Sequence, residues 1–132
     1  MRKKTVLFIC KGNSGRSQMA EAFFNLLSKK GKAISAGTKP DKKIHPLTIK
    51  IMKEVGIDIN QQKPKLLTNE MMRKADKIIV MDSELSKVIP QEYSSELVKW
   101  RIEKLLGKPL GQARKIRDRI KKRVKQLIKE IE

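Results

Sequence analysis

The sequence predicts a three-layer α/β domain in which a parallel sheet is covered by helices on both faces. Short apolar runs without alternation, typical of buried parallel strands, take turns along the chain with amphipathic segments of helical period. The chain has 132 residues, which suits one domain, and we assign residues 1–132 to it. Apolar residues make up 39% of the chain, enough for one core.

Four short segments are predicted strands. Residues 6–9 form an apolar run, residues 32–36 and 77–81 are similar, and residues 97–100 suit a short edge strand. Right-handed crossovers bring the carboxyl ends of parallel strands to one edge of the sheet, where ligands bind in open α/β sheets. The first of these strands leads into Cys10, so we expect a site there.

Glycine and proline residues mark where the predicted helices begin and end. Apolar spacings of three and four begin after Ser17, and we expect Gly31 to close that helix. Pro46 is expected to open the second helix at its first turn. Shorter helical segments are expected at residues 67–72 and 83–88.

The last segment is the clearest helix and carries much of the charge. Between Leu110 and Ile131 apolar residues form one face and basic residues the other. The chain has 32 Lys and Arg against 14 Asp and Glu, a net charge of +18. Two interpretations stay open, an anionic partner such as nucleic acid or a lysine-rich solvated surface. Aromatic residues that would stack on bases are only 4%, so we do not expect nucleic acid to bind.

Cysteine content and hydropathy exclude several classes of protein. Cys10 is the one cysteine, so an intrachain disulfide and the usual zinc-binding spacings are excluded, and we expect neither a metal nor a cofactor. The apolar runs are far shorter than the roughly 18 residues of a membrane span. We expect a cytoplasmic monomer that does not enter a membrane.

The segment from Cys10 to Ser17 has the composition of a phosphate-binding loop. It joins a predicted strand to a predicted helix. Such a turn can direct successive backbone N–H groups at an anion, and the helix N-terminus adds unpaired N–H groups. Glycine and asparagine accept the left-handed conformations that the turn needs. Besides Arg16 and Ser17, the predicted substrate-binding residues are those of its interior: Lys11, Gly12, Asn13, Ser14 and Gly15.

Cys10 and Arg16 are the predicted catalytic residues of this loop. Arg16 offers a planar fork that can bind two phosphate oxygens and stabilise them during phosphoryl transfer. The helix dipole, the N–H groups and Arg16 all favour the thiolate of Cys10, a nucleophile that can form a cysteinyl-phosphate. Ser17 can donate a hydrogen bond to that thiolate or cap the helix, and both roles stay open.

Four stretches of this chain resemble known enzymes. Residues 6–21, VLFICKGNSGRSQMAE, resemble the start of the low-molecular-weight protein tyrosine phosphatase family and of its sister family, the thioredoxin-coupled arsenate reductases. The other matches are SAGT at residues 35–38, GID at 56–58 and ADKIIVMD at 75–82. The resemblance extends over nearly the whole chain.

The resemblance implies both a fold and roles for residues. The fold would be a four-stranded parallel sheet flanked by helices, as in the low-molecular-weight phosphotyrosine phosphatases. Cys10 would be the nucleophile and Arg16 the phosphate clamp. Asn13 and Ser17 would support the loop, and Ser35 would be a partner of Asn13.

The single thiol separates the chemistry of the two families. The reductases pass oxidation from the nucleophile to further cysteines, and this chain has Asp82 where they carry the second thiol. Gly15 stands where many members of both families have a cysteine. We therefore expect a phosphatase that hydrolyses a phosphotyrosine protein or a small aryl phosphate through a cysteinyl-phosphate, with inorganic phosphate as product. The alternatives are an arsenate reductase that uses an external thiol, and a phosphate-binding or nucleic-acid-binding module with impaired catalysis.

The resemblance also implies a general acid before the last helix, where the phosphatases have an Asp-Pro pair. Here residues 100–107 read WRIEKLLG. Counting back from Gly107 places Glu103 at the position of the aspartate, and counting forward from Trp100 places Lys104 there. Glu103 is the better proton donor, because burial can tune a carboxylic acid, and it is our predicted general acid.

Overall fold

The architecture is a four-stranded parallel sheet between two layers of helices, seen in a computed structural model that describes residues 3–132. The strands are β1 (Lys4–Cys10), β2 (Gly31–Gly37), β3 (Lys77–Val80) and β4 (Leu97–Lys99). The helices are α1 (Arg16–Leu27), α2 (Pro46–Glu54), α3 (Asn69–Lys74) and α4 (Leu110–Ile131). Two 3-10 segments, Ser83–Val88 and Gln91–Glu96, lie between β3 and β4.

The register of the sheet brings all four carboxyl ends to one edge. The strand order is β2-β1-β3-β4 and every pair is parallel. Cys10 lies opposite Gly37, Ile9 opposite Val80, and Val80 opposite Lys99. The predicted four-stranded parallel sheet is confirmed. The edge strand predicted at residues 97–100 is β4, which ends at Lys99, and Cys10 ends a central strand.

Alternate residues of β1 face two separate cores. Val6, Phe8 and Cys10 pack with apolar residues of α1, α2 and α4, whereas Leu7 and Ile9 pack with those of α3 and the 3-10 segments. All five side chains are at most 4% exposed. A strand buried on both faces has no polar alternation, which is why this run was readable from the sequence.

A charged cluster ties α2 to α4. Arg117 is buried, although it lies among the basic residues of α4, and its Nη1 donates to the carbonyl of Ile51 at 3.0 Å and to Glu54 Oε1 at 3.0 Å. Arg114 donates from Nε and Nη2 to the two oxygens of Glu54 at 2.9 and 2.7 Å. The bonds from Arg114, and then those from Arg117, lower the pKa of Glu54 to about 2.

The end of α1 differs from the prediction. The helix ends at Leu27, and Ser28 is its C-cap, with extended backbone angles of φ −79° and ψ 137°. Gly31 does not close the helix but begins β2, and its N–H donates to Ser28 Oγ at 3.0 Å. Pro46 opens α2 as predicted.

No helix among residues 3–132 is both long and apolar enough to cross a membrane.

Candidate active site

The turn between β1 and α1 forms an anion cradle. Its residues 11–15 lie beyond the carboxyl end of β1, and α1 begins at Arg16. The N–H groups in the first turn of a helix have no acceptor within the helix. Gly15, the N-cap of α1, has no side chain that could accept from them. Asn13 has a φ of 51°, the one left-handed non-glycine backbone among residues 3–132. This conformation turns the chain around the place where an anion would sit.

The thiol of Cys10 lies at the bottom of this cradle, only 4% exposed. The backbone N–H of Asn13 donates to Sγ at 3.3 Å, and Ser17 Oγ is 2.8 Å from Sγ. The amide of Asn13 donates to Ser17 Oγ at 2.7 Å. The serine oxygen is therefore already an acceptor, and its hydroxyl hydrogen is free to point at the sulfur. Of the two roles left open for Ser17, the geometry favours support of a thiolate, since α1 begins before Ser17 and Gly15 is the cap.

Asn13 is held in its strained conformation by a buried network. Its Nδ2 also donates to Ser35 Oγ at 2.9 Å, and Ser35 in turn donates to Glu21 Oε1 at 2.8 Å. Its Oδ1 accepts from the backbone N–H of Lys65 at 2.9 Å and from Gln18 Nε2 at 3.1 Å. The structure thus places Ser35 beside Asn13, where the resemblance puts it, and adds partners that no sequence pattern indicated.

Arg16 is anchored across the sheet edge. Its Nη1 and Nη2 donate to Asp82 Oδ1 and Oδ2 at 2.9 and 2.8 Å. Nη1 also donates to the carbonyls of Met81 at 3.1 Å and Ile102 at 2.6 Å. The guanidinium is 7% exposed and lines the cavity above Cys10. Asp82 therefore orients the arginine, a role that position alone did not reveal.

The segment after β2 supports the outer side of the cradle. Its backbone N–H groups at Lys39, Asp41 and His45 donate to the carbonyls of residues 11, 12 and 14 at 2.9, 2.9 and 3.1 Å. Thr48 Oγ1 donates to the carbonyl of Ser14 at 2.9 Å, and the hydroxyl of Ser14 donates to the Asp41 carboxylate. These bonds pin the carbonyls away from the anion site, so the N–H groups can face inward.

Two glycines allow the close approach of these segments. A Cβ on Gly37, at the end of β2, would lie 2.5 Å from the carbonyl oxygen of Lys11. A Cβ on Gly12 would collide with the Asp41 carboxylate. Gly37 requires glycine because backbone already fills the space, whereas a side chain at Gly12 would displace the Asp41 carboxylate.

A cavity of about 430 Å³ opens above the thiol. Cys10 and Arg16 both line it, as does each of the predicted interior loop residues: Lys11, Gly12, Asn13, Ser14 and Gly15. Ser17 lies behind the thiol rather than on the cavity wall. The remaining walls come from the segment after β2, from Asp82, and from the loop before α4: Lys39, Pro40, Asp41, His45, Thr48, Asp82, Lys104, Leu105 and Leu106.

Glu103 is not brought to this cavity. Its carboxylate accepts from Gln112 Nε2 and lies 3.7 Å from Arg119 Nη1 and 3.8 Å from Lys108 Nζ. These cationic and amide groups on and before α4 draw the side chain away from the cradle. Its neighbour Lys104 lines the cavity instead. The geometry therefore gives no support to Glu103 as the general acid.

The described residues, 3–132, contain no group of three or more His, Cys, Asp or Glu side chains placed to hold a metal ion. His45 lies at the cavity rim, where its Nδ1 accepts from the N–H of Leu47 at 3.1 Å and caps α2.

Comparison with known proteins relates the chain to two activities. A family model described as low molecular weight phosphotyrosine protein phosphatase matches residues 5–132. Arsenate reductase 1 of Staphylococcus epidermidis is 38% identical over 125 residues, which are 92% of each chain. The structure of an arsenate reductase in the phosphate binding state has a TM-score of 0.86 and 34% identity, covering 98% of this chain and 99% of the other. That of a low molecular weight protein tyrosine phosphatase from T. tengcongensis has a TM-score of 0.89 and 27% identity, covering 97% and 99%.

Proposed function

Because the chain belongs to the low molecular weight phosphotyrosine protein phosphatase family, we propose that it is a cysteine-dependent hydrolase of phosphate monoesters, aryl phosphates in particular. One observation carries the proposal: a hydrogen-bonded thiol and a buried arginine lie on the same anion-binding loop. That pairing supplies both a nucleophile and a charge that stabilises the transferring group.

Phosphate binding would use donors that are already in place. The inward N–H groups of the loop and the first turn of α1 would hold the non-bridging oxygens. The bonds of Arg16 to Asp82 and to the two carbonyls use Nη1 and one hydrogen of Nη2, which leaves Nε–H and the second Nη2 hydrogen to face an oxyanion. Because Asp82 and two carbonyls hold the guanidinium, little reorganisation is needed when the ester binds.

The reaction would proceed in two displacements on phosphorus. In the first, the Cys10 thiolate forms a bond from Sγ to phosphorus, the ester P–O bond breaks, and the alcohol or phenol oxygen leaves with the electron pair. In the second, water attacks phosphorus, the S–P bond breaks, and the thiolate leaves as inorganic phosphate forms and the water gives up a proton. Ser17 would stabilise the thiolate in both steps through the 2.8 Å contact between Oγ and Sγ.

The decisive experiment is hydrolysis of p-nitrophenyl phosphate by wild type and by Cys10→Ser. We expect the variant to lose turnover to below detection while it remains folded. Arg16→Lys tests the clamp, and we expect kcat to fall about 100-fold or more, as on loss of one oxyanion donor. Arg117→Lys is its matched control, because Arg117 is also a buried arginine bonded to a carbonyl and a carboxylate, but outside the cavity. Retained turnover in Cys10→Ser would end the proposal.

A second candidate is arsenate reduction with an external thiol, favoured by the similarity to proteins named arsenate reductase. The thiolate would form an S–As bond as an As–O bond of arsenate breaks, and the displaced oxygen would leave, after protonation, as water. An external thiol would then attack Sγ, and the S–As electron pair would reduce arsenic to arsenite. A second thiol would release Cys10 from the mixed disulfide, so two thiols become one disulfide. Arsenate-dependent thiol consumption, abolished in Cys10→Ser, would establish this activity.

A further inference from the structure

We propose that α4 binds the phosphate backbone of double-stranded nucleic acid through one row of cationic side chains. This row, which we call the α4 stripe, consists of Lys115, Arg119, Lys122, Lys125 and Lys129. Its members follow one another at intervals of three or four residues, so they lie on one face of the helix. The surface lies outside the cavity above Cys10, and its binding goes beyond the proposed phosphatase function and does not depend on it.

The α4 stripe faces away from the core. At 3.6 residues per turn its mean direction is roughly opposite to that of the buried apolar row of the same helix. That row consists of Ala113, Ile116, Ile120, Val124 and Leu127. All five side chains of the stripe are exposed. With a rise of about 1.5 Å per residue, the stripe extends for roughly 21 Å along the helix.

Most of the charge on the stripe is not neutralised within the protein. Its four lysines form no ion pair with residues 3–132. Arg119 is 52% exposed, and its Nη1 lies 3.7 Å from Glu103 Oε1. Asp118 is on the same face, but its Oδ1 accepts from the buried Arg117 at 2.9 Å, and that guanidinium offsets its charge. The stripe therefore produces a positive field that attracts a polyanion.

The chemistry around the stripe favours a duplex over other polyanions. The large apolar side chains that residues 3–132 expose all lie outside α4: Leu26, Val55, Leu66, Val88 and Leu106. The helix therefore has no apolar anchor for a membrane or for a protein partner. Aromatic residues are only 4%, which disfavours the unstacked bases of a single strand. A duplex keeps its bases stacked on one another and presents one phosphate charge per about 1.7 Å of its axis.

The test is fluorescence anisotropy with the intact protein and a labelled DNA duplex of about 20 base pairs, between about 50 and 200 mM NaCl. For wild type we expect log K to fall with log salt at a slope of about −4, since each neutralised phosphate contributes about −0.9. The stripe variant combines Lys115→Gln, Lys122→Gln, Lys125→Gln and Lys129→Gln. Its slope should be shallower by about 3, and its affinity at low salt should fall at least about 10-fold. Its hydrolysis of p-nitrophenyl phosphate should be unchanged, because the stripe lies outside the cavity.

A matched variant removes the same charge from exposed lysines outside α4: Lys32→Gln, Lys42→Gln, Lys43→Gln and Lys87→Gln. We expect it to keep the wild-type slope. Equal losses in the two variants, or no binding by wild type at low salt, would overturn the proposal. Tighter binding to a single strand of equal length, to phosphatidylserine vesicles or to polyglutamate would also overturn it and would identify another class of partner. These outcomes are read from binding, so they are independent of whether the protein hydrolyses phosphate esters.

Discussion

Arg16 and Asp82 form a bidentate ion pair, with Nη1 2.9 Å from Oδ1 and Nη2 2.8 Å from Oδ2. The pair joins the first residue of α1, which follows β1, to Asp82, two residues beyond the end of β3. The strands β1 and β3 are neighbours in the sheet. Arg16 is 7% and Asp82 24% exposed, so the charges are largely withdrawn from water. The orientation of the Arg16 guanidinium therefore depends on a residue 66 positions away in the chain.

Asp82→Asn tests this pair. The variant leaves a buried guanidinium with a neutral partner, and we expect the free energy of unfolding to fall by about 3 kcal/mol. Urea denaturation measures it, with Asp118→Asn as control, because Asp118 bonds to a buried arginine but is itself mostly exposed. Equal losses in the two variants would show that burial of the Arg16 pair has no special effect.

Ser17→Ala tests whether the Ser17 hydroxyl supports Cys10 in its proposed role as nucleophile. The variant removes the hydroxyl that lies 2.8 Å from Cys10 Sγ. A hydrogen bond to a charged group contributes about 1.5–3 kcal/mol, so kcat/KM for p-nitrophenyl phosphate should fall about 10- to 100-fold. Circular dichroism and a thermal melt check that the variant is folded. If kcat/KM falls by less than about threefold, the hydroxyl makes no hydrogen bond to a charged sulfur, and Ser17 has a packing role only.

Two substitutions of Asn13 distinguish the effect of backbone strain on stability from the effect of the side-chain hydrogen bonds. Asn13→Ala loses the amide network and keeps a Cβ at a φ of 51°, so we expect a loss of about 3 kcal/mol in the free energy of unfolding. Asn13→Gly loses the same network without the strain and should be about 1 kcal/mol more stable than Asn13→Ala. Chemical denaturation compares the two. If alanine and glycine are equally destabilising, the left-handed backbone carries no cost.

Glu54 gives the stability a defined dependence on pH. Because Arg114 and Arg117 lower its pKa from 4.5 to about 2, the folded state favours the ionised carboxylate. The stabilisation of the folded state by the ionised Glu54 carboxylate is complete above pH 4.5, and it is lost as the pH falls toward 2. Wild type should therefore exceed Glu54→Gln in stability at neutral pH, and the difference should shrink below pH 4.5. Urea denaturation over this range measures it, and a difference independent of pH would contradict the assignment.

Glu103→Gln should leave the leaving-group preference unchanged. The carboxylate contacts Gln112, Arg119 and Lys108, and it does not line the cavity. The ratio of kcat/KM for p-nitrophenyl and phenyl phosphate should stay within about twofold of wild type, because no proton donor is removed. A selective loss with phenyl phosphate would restore Glu103 as the acid.

The sheet and the cradle could be predicted because local patterns specify them. An uninterrupted apolar run marked β1, and a period of three and four marked α4, where Ile116 and Ile120 are completely buried. The cradle was readable because Cys10 and Arg16 belong to one contiguous segment, and both line the cavity.

Contacts between distant segments could not be predicted in the same way. The bond from Ser14 to Asp41 joins residues 27 apart, and nothing periodic marks either of them. In the irregular loop before α4, counting residues from Trp100 or from Gly107 does not reveal which side chain faces the cavity. In the structure Lys104 lines the cavity and Glu103 does not. The burial of Arg117 could not be predicted either, because it depends on bonds to Ile51 and Glu54 of another helix.

The single thiol allows ligand binding to be measured by chemical labelling. The chain has one cysteine, and it lies at the floor of the cavity. A haloacetamide can therefore label a thiol of the folded protein only at Cys10. Protection of that thiol by phosphate or arsenate measures their occupancy without turnover. The single cysteine also has a consequence under oxidation. A sulfenic acid at Cys10 cannot form a disulfide within the chain, because the chain has no second cysteine. Its recovery must come from thiols in solution small enough to enter the cradle.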